Sequence, residues 1–491
     1  MDLVMLCIAA VLLLLIYTWF PRSGKCIPPF PARPLPIVGN LFILKQDTQT
    51  LFRTWRQKYG DIFSLYLGGT HVVVLNGYDL IKEALITKAD IFSDRPKYFY
   101  DVATGIPEKG IVAASGKSWK EHRSVVLSIL RSFGMGKNVL AEKIMDERNS
   151  VIEYLASLKE KPTNIQLMVY VSVSNIICSI LIGQRFEYDD KEFDTIMQAM
   201  RGISSGEIVT IVNFLPWLQY FPGDFFNAKK IALNSRKLMS ILTMFKDKKK
   251  RDVEDIMEMD NFIDAYMIEK NKRDKAGLST FLDEDSLKKI MLELFEAGSE
   301  TTSTTIYWCV LYMIVHPDVQ EKVYQEIKDK VGTDRAPTMQ DKNQLTYLSA
   351  VINETQRLAS IAPLSVTHIC SKEFTLRGYT LPKGTSIITN LDSVLHDKTT
   401  WGDDATSFRP ERFIDDNGKL KIPEQFIPFS IGPRVCLGEA IARMELFLFL
   451  SSMFQRFQFL PSDDKNLPST DADNGFVRSP KSYETIIIER H

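Results

Sequence analysis

The stretch Phe429-Ser430-Ile431-Gly432-Pro433-Arg434-Val435-Cys436-Leu437-Gly438 decides how this chain is read. Gly432 and Pro433 fit a tight bend, because glycine tolerates left-handed backbone and proline fixes its own φ. From Glu439 onward the run through Ile441, Met444, Leu446, Phe447 and Leu448 predicts a strongly apolar, buried helix. Cys436 therefore falls near a helix N-terminus, where backbone N–H groups and the dipole favour a thiolate. A thiolate is a strong ligand for iron, and Arg434, two residues earlier, suits an anionic group on the same cofactor. Gly438 leaves room for something flat to lie close to the backbone. A lone cysteine is more often an inert buried one, so the weight rests on the pattern around it.

In that pattern Phe, Gly, Arg, Cys and Gly fall at offsets 0, 3, 5, 7 and 9, which few sequences match by chance. It closely resembles the haem-binding signature of the cytochrome P450 monooxygenases. The resemblance implies a mainly α fold with a smaller β-sheet region, and haem b as cofactor. It makes Cys436 the axial iron ligand, with Phe429, Arg434 and Gly438 around the cofactor. Thiolate ligation in this family favours O–O cleavage.

The 491 residues suffice for a large core, and a net charge of −1 with 45% hydrophobic residues gives no sign of a nucleic-acid binder or a disordered tail. Six cysteines, at 7, 26, 178, 309, 370 and 436, lack the spacing of a disulfide framework or a zinc site and suit a reducing compartment. Residues 3–20 are uncharged and mostly apolar, long enough to span a bilayer. Arg22 and Lys25 follow them while only Asp2 precedes, which places the rest of the chain in the cytoplasm. No basic leader or small-residue cleavage site marks a removable signal. The expectation is a single transmembrane anchor over 1–21 in the endoplasmic reticulum membrane, a basic, proline-rich hinge over 22–40, and a catalytic domain over 41–491. Five prolines between 28 and 36 stiffen the hinge. It resembles the proline-rich segment of microsomal P450s, with Phe30 where glycine is common.

Residues 62–67 and 71–76 predict a hairpin turned at Gly68-Gly69. Trp119 and Arg123 stand at i and i+4, able to face one anionic ligand, although alone they would read as an exposed basic face. The resemblance makes both contacts of a haem propionate. Residues 130–137 are similar to the family-2 branch of animal microsomal members. Residues 164–183 predict an apolar helix. The aromatic stretch 209–225 suits a loop dipping into lipid as well as it suits core. The basic run 246–251 reads as a solvated helix face.

Residues 286–316 predict one long buried helix, broken in character by Ala297-Gly298-Ser299-Glu300-Thr301-Thr302. Glycine and hydroxyl residues are poor helix-interior choices, so the hexamer marks either a close helix crossing or a functional site. Splitting dioxygen at an iron needs two protons delivered into a dry pocket, and a locally opened helix could hold water for that purpose. The resemblance assigns the relay hydroxyl to Thr301 and the acid to Glu300, with Ala297 facing the haem beside the substrate.

Glu354 and Arg357, at i and i+3, would elsewhere be a modest surface pair. The family's pattern joins them with Arg412 in a buried, structural charge network. His368, in a strand-like run, becomes a propionate partner by resemblance, against the plainer reading of a surface histidine. Ala362, Val366 and Phe476 would line the substrate pocket with Ala297, and the 97–115 and 199–214 regions follow from order alone. The chain contains no flavin or second redox domain, so electrons are expected from NADPH–cytochrome P450 reductase, with cytochrome b5 as a possible helper. Lys120, Arg131, Lys137 and Arg443 are candidates for a basic docking patch. The expected activity inserts one atom of O2 into an apolar lipid, steroid or xenobiotic. A haem-thiolate isomerase or dehydratase is disfavoured by Thr301 and Glu300. A haem-containing lipid or steroid binder without turnover is disfavoured by the intact motifs.

Overall fold

Asp283 opens the element that the rest of the chain packs around. Its carboxylate accepts the Ser286 N–H at 2.7 Å, an N-cap for a helix running Glu284–Val315. The computed structural model describes residues 26–490 except 46, 135–137, 189, 205–206, 225–226, 249–260, 464 and 474, together with positions 5, 10 and 11. The elements that bear on the site are, in chain order, α1 (Thr48–Tyr59), β1 (Ile62–Leu67), β2 (Thr70–Leu75), α2 (Phe99–Ala103), α3 (Gly116–Ser132), α4 (Gln166–Leu181) and α5 (Glu207–Phe214). There follow the long α6 (Glu284–Val315), α7 (Thr346–Ala359), β3 (His368–Ile369), β4 (Ser386–Thr389) and α8 (Glu439–Arg456). The expected mainly helical fold with a smaller sheet region is what the chain forms.

The main core joins the apolar faces of α3, α4, α6, α7 and α8. The four-stranded sheet has the order β1-β2-β4-β3, with β2 and β4 parallel and the other two pairs antiparallel. The predicted hairpin forms in register, Ile62 opposite Leu75 and Leu67 opposite Thr70. The proline-rich stretch is docked from Cys26 onward. Pro29 O accepts from Ser64 N at 2.8 Å, and the Phe30 ring stacks on Tyr66 at 5.5 Å and 3°.

The stretch over 209–225 divides its two expected roles. Val212, Leu215 and Leu218 are buried, while Trp217, Tyr220 and Phe221 face outward, Tyr220 at 79% exposure. Among the described residues no helix is long and apolar enough to cross a membrane. The expected anchor over 1–21 lies almost wholly outside the described residues, as do Lys137 and residues 249–251 of the basic run.

Candidate active site

The signature stretch folds as a tight hairpin of backbone. Ser430 and Gly432 both take left-handed φ, 63° and 82°, and a Cβ on Gly432 would collide with the Leu85 carbonyl. Cys436 N donates to Phe429 O at 3.0 Å and Val435 N to Gly432 O at 3.0 Å. Cys436 is thus held just before α8, with the Gly438 and Glu439 N–H groups directed at its sulfur. Cys436 is accessible, yet desolvation is the largest influence on it, so its surface opens inward. A Cβ built on Gly438 would meet nothing within 4 Å. The helix terminus does not by itself produce the expected thiolate. Burial first, with the Glu439 carboxylate adding to it, pushes the thiol up by more than the two N–H groups and Arg123 pull it down. A metal ion would have to complete the deprotonation.

Around the sulfur stands a cluster of cations. Arg434 spends its guanidinium on backbone carbonyls: Ser93 at 2.8 Å, Ile111 at 3.0 Å and Ala114 at 2.6 Å. Its guanidinium lies 3.8 Å from the centre of the Trp119 ring. Arg123 donates to Val435 O at 2.6 Å, and Arg95 to Val366 O and Thr367 O at 2.6 and 2.8 Å. Burial, reinforced by the neighbouring arginines, pushes Arg434 down to about 8. Burial likewise takes Arg95 down to about 10, and lowers Arg123. Among the described residues no carboxylate forms an ion pair with any of the three. His368, 1% exposed, holds Phe92 O with Nδ1 at 2.7 Å, while burial first and then Arg95 keep it well below the usual histidine range. It is no surface histidine. The buried Trp119 Nε1, His368 Nε2 and Arg95 Nε have no protein partner.

Such an arrangement is costly alone, since buried charges and donors need partners. A flat, iron-bearing group with negatively charged substituents fits these residues: Cys436 for the metal, space over Gly438, and the unpartnered N–H groups of Trp119 and Arg95 for the anions. His368, with Nδ1 donating to Phe92 O, turns Nε2 into a donor once an anion there holds the ring protonated. Arg95 is the member that the sequence reading missed.

The other expected residues stand on α6. Within its buried middle, Ala297 is exposed and Thr301 half-exposed, one turn apart on the same face. The local opening expected there is absent. The helix is continuous, and Thr301 Oγ1 donates to Ala297 O at 2.8 Å, leaving the hydroxyl oxygen as an acceptor. Gly298 has a packing reason: a Cβ there would press on Ile177 Cδ1 at 2.7 Å, where α4 crosses. Glu300 is half-buried. A second acid was missed. Glu445 of α8 is 1% exposed, with one oxygen unpartnered and its carboxyl bonded to Thr302. Burial pushes it up to about 8, so it carries its proton at neutral pH.

Behind α6, Glu354 and Arg357 are both fully buried and doubly bonded, at 2.7 and 2.8 Å. Arg412 adds a contact to Glu354 at 3.3 Å, and Arg357 also donates to Leu395 O and Ala405 O. The three residues expected together are together. Ala362 and Val366 are half-buried, beside His368 and the Arg95 contacts. Phe476 is 76% exposed at its hairpin tip, so its ring is not packed against the pocket wall. Of the basic candidates, Lys120 and Arg131 are exposed, whereas Arg443 is held by Glu439 at 2.9 Å and lies over the Phe429 ring at 4.9 Å.

The cytochrome P450 family model matches residues 28–487. Cytochrome P450 2U1 of Bos taurus is 38% identical, the alignment covering 99% of this chain and 93% of the relative. Cytochrome P450 2B4 of Oryctolagus cuniculus is 37% identical, with 99% of each chain covered. Cytochrome P450 2J2 of Homo sapiens is 38% identical over 95% of this chain and 92% of the relative.

Proposed function

Because this chain belongs to the cytochrome P450 family, whose members are haem b monooxygenases, we propose that it oxygenates an apolar lipid, steroid or xenobiotic with electrons from NADPH–cytochrome P450 reductase. The observation that carries this reading is the accessible Cys436 set beside Arg434, Arg123 and Arg95, none of which forms an ion pair with a carboxylate among the described residues. When bound, haem supplies the redox centre at which dioxygen is split. Cys436 would hold its iron, while Trp119, Arg123, His368, Arg434 and Arg95 hold its anionic groups. Phe429 and Gly438 would shape the space beside it.

On the far wall Ala297 leaves room for substrate. The Thr301 hydroxyl, already donating to Ala297 O, can accept a proton on its oxygen while passing its own onward, with Glu300 as the neighbouring acid. Ala362 and Val366 would exclude water on the substrate side, and Phe476 would join them if its hairpin closes. Glu354, Arg357 and Arg412 serve the fold and not the chemistry. Cytochrome b5 is a second electron donor of suitable charge for the exposed Lys120 and Arg131.

The membrane reading rests on sequence and surface together. Residues 1–21 would anchor the chain, 22–40 link the anchor to the catalytic domain over 41–491, and that domain would lie on the cytoplasmic face of the endoplasmic reticulum. Trp217, Tyr220 and Phe221, with Leu35 and Ile37, are exposed beside an apolar cluster that both segments share.

The test is reconstitution of the full chain with the reductase and NADPH on a panel of fatty acids, steroids and xenobiotics. Substrate-dependent NADPH oxidation should yield products carrying one oxygen atom from 18O2. Thr301→Ala should divert NADPH to peroxide, lowering product per NADPH by about tenfold or more. A haem protein whose spin state responds to lipid, yet which forms no product on any of the panel, would favour a binder without turnover. Unchanged coupling in Thr301→Ala would remove the relay role.

A further inference from the structure

The C-terminal segment is fastened to the second half of α6 at two adjacent residues. Tyr307 Oη donates to Tyr483 O at 3.2 Å and accepts from Tyr483 N at 3.0 Å, and the two rings stack at 4.2 Å and 9°. Next to it the buried Trp308 donates from Nε1 to Arg478 O at 3.0 Å. Arg478 then reaches two further places. Its backbone N–H donates to Ile361 O at 2.8 Å. Its Nη1 donates to Ala359 O at 3.1 Å and lies 3.5 Å from Leu358 O. The latter two carbonyls belong to the last turn of α7, where C=O groups lack helical partners and a cation suits the dipole. Among the described residues Arg478 forms no ion pair, so its guanidinium is spent on backbone.

These contacts sit at the base of the hairpin that carries Phe476. Its strands, Ala472–Asp473 and Ser479–Pro480, pair over two residues each. A two-stranded ribbon of that length does not hold its shape alone. The Lys481–Asp471 pair beside it is exposed, and such pairs contribute little. The place of the tip is therefore set by what residue 478 is bonded to. Its partners on the α7 side bracket Ser360, a non-glycine residue in left-handed backbone, φ 42°. Arg478 thus braces the bend at which α7 ends and the stretch through Ile361, Ala362 and Val366 begins. One residue joins the Phe476 tip, that stretch and α6.

We propose that Arg478 is a positioning residue that fixes the spacing between the Phe476 tip and the stretch 361–366, and thereby sets how firmly the enzyme holds bulky substrates. It acts through those two segments. The proposal rests on the reading of Ala362, Val366 and Phe476 as substrate-side residues, and on the contacts above for the pin itself.

The experiment uses the full-chain haem-loaded enzyme in four forms: unaltered, Arg478→Met, Arg478→Lys and, as a control on the same hairpin, Lys481→Met. Haem content and melting temperature check folding, and Arg478→Lys keeps the test open should Arg478→Met lose haem. Hydrogen exchange of amides 475–479 should quicken by about tenfold in Arg478→Met, by less in Arg478→Lys, and not at all in Lys481→Met. The Kd of 4-phenylimidazole, followed by the Soret shift of the ferric protein, should rise by about tenfold in Arg478→Met. Arg478→Lys should recover part of that loss, because an ammonium keeps the charge but not the planar donor set. The Kd of the smaller imidazole should stay unchanged throughout. Folded Arg478 variants with unaltered exchange would overturn the pin. Quickened exchange with an unaltered ratio of the two azoles would overturn the role in specificity. Equal weakening of both azoles would do the same, since the effect would then lie at the iron. An unaltered protein whose Soret band answers to neither azole would refute the haem reading, with exchange still deciding whether Arg478 holds the hairpin.

Discussion

Arg95 shows what a single residue can hide. In sequence it is one letter of Phe92-Ser93-Asp94-Arg95-Pro96, ahead of a polar loop, with no partner spacing to single it out. Only the folded chain brings it to the carbonyls of Val366 and Thr367 and near Arg123 and Arg434. Cys436, Trp119, Arg123 and Arg434 were legible because they recur at fixed offsets in short segments. Glu445 was not, because a helix reading treats one acid in an apolar run as a surface position, whereas α8 is buried there on every side. The upward push of burial on the Cys436 thiol was hidden for a related reason, as dipole direction can be read from sequence but desolvation cannot. Arg95→Met should shorten the retention of haem, raising its transfer to an acceptor apoprotein by about tenfold or more, as expected for losing a charge-assisted hydrogen bond. Unchanged transfer would remove Arg95 from the cofactor site. The exposed Lys120→Met is the control.

At the scale of elements, α6 carries two functions that its sequence could not separate. Its length was legible from periodicity to within two residues at each end, its Asp283 N-cap was not singled out, and the hexamer 297–302 fitted both a helix crossing and an active site. Gly298 belongs to the crossing, where Ile177 of α4 fills the space a Cβ would need, and Ala297 and Thr301 belong to the accessible face. Gly298→Ala gains about 1 kcal/mol of helix propensity against an overpacking cost of about 1–3 kcal/mol. The expected result is a small net destabilisation that Ile177→Val relieves, giving a coupling of about 1 kcal/mol in a double-mutant cycle. Strict additivity, with coupling of NADPH to product disturbed instead, would move Gly298 from packing to chemistry.

At the scale of the whole molecule, the order of segments was legible from end to end, while their docking was not. The proline-rich stretch reads as a spacer because proline denies it a helix. Its seat on the sheet depends on Phe30 meeting Tyr66, a contact between residues 36 apart that no local pattern announces. Glu354, Arg357 and Arg412 make the complementary case. Two lie one helical turn apart and the third comes from a distant loop, and their closure behind α6 leaves no member replaceable alone. Losing one would strand a buried charge at roughly 3–5 kcal/mol. Fold and site meet at Cys436, whose inward exposure depends on the turn, the cation cluster and α6 together.

The most direct test of the central claim is the carbon-monoxide difference spectrum of the reduced full-length protein, recorded beside Cys436→Ser. A strongly red-shifted Soret band in the unaltered chain, lost in the variant, is the expected result and assigns the thiolate to Cys436. A band at the ordinary histidine-haem position in the unaltered chain, or a red-shifted band surviving in Cys436→Ser, would contradict the account at its root.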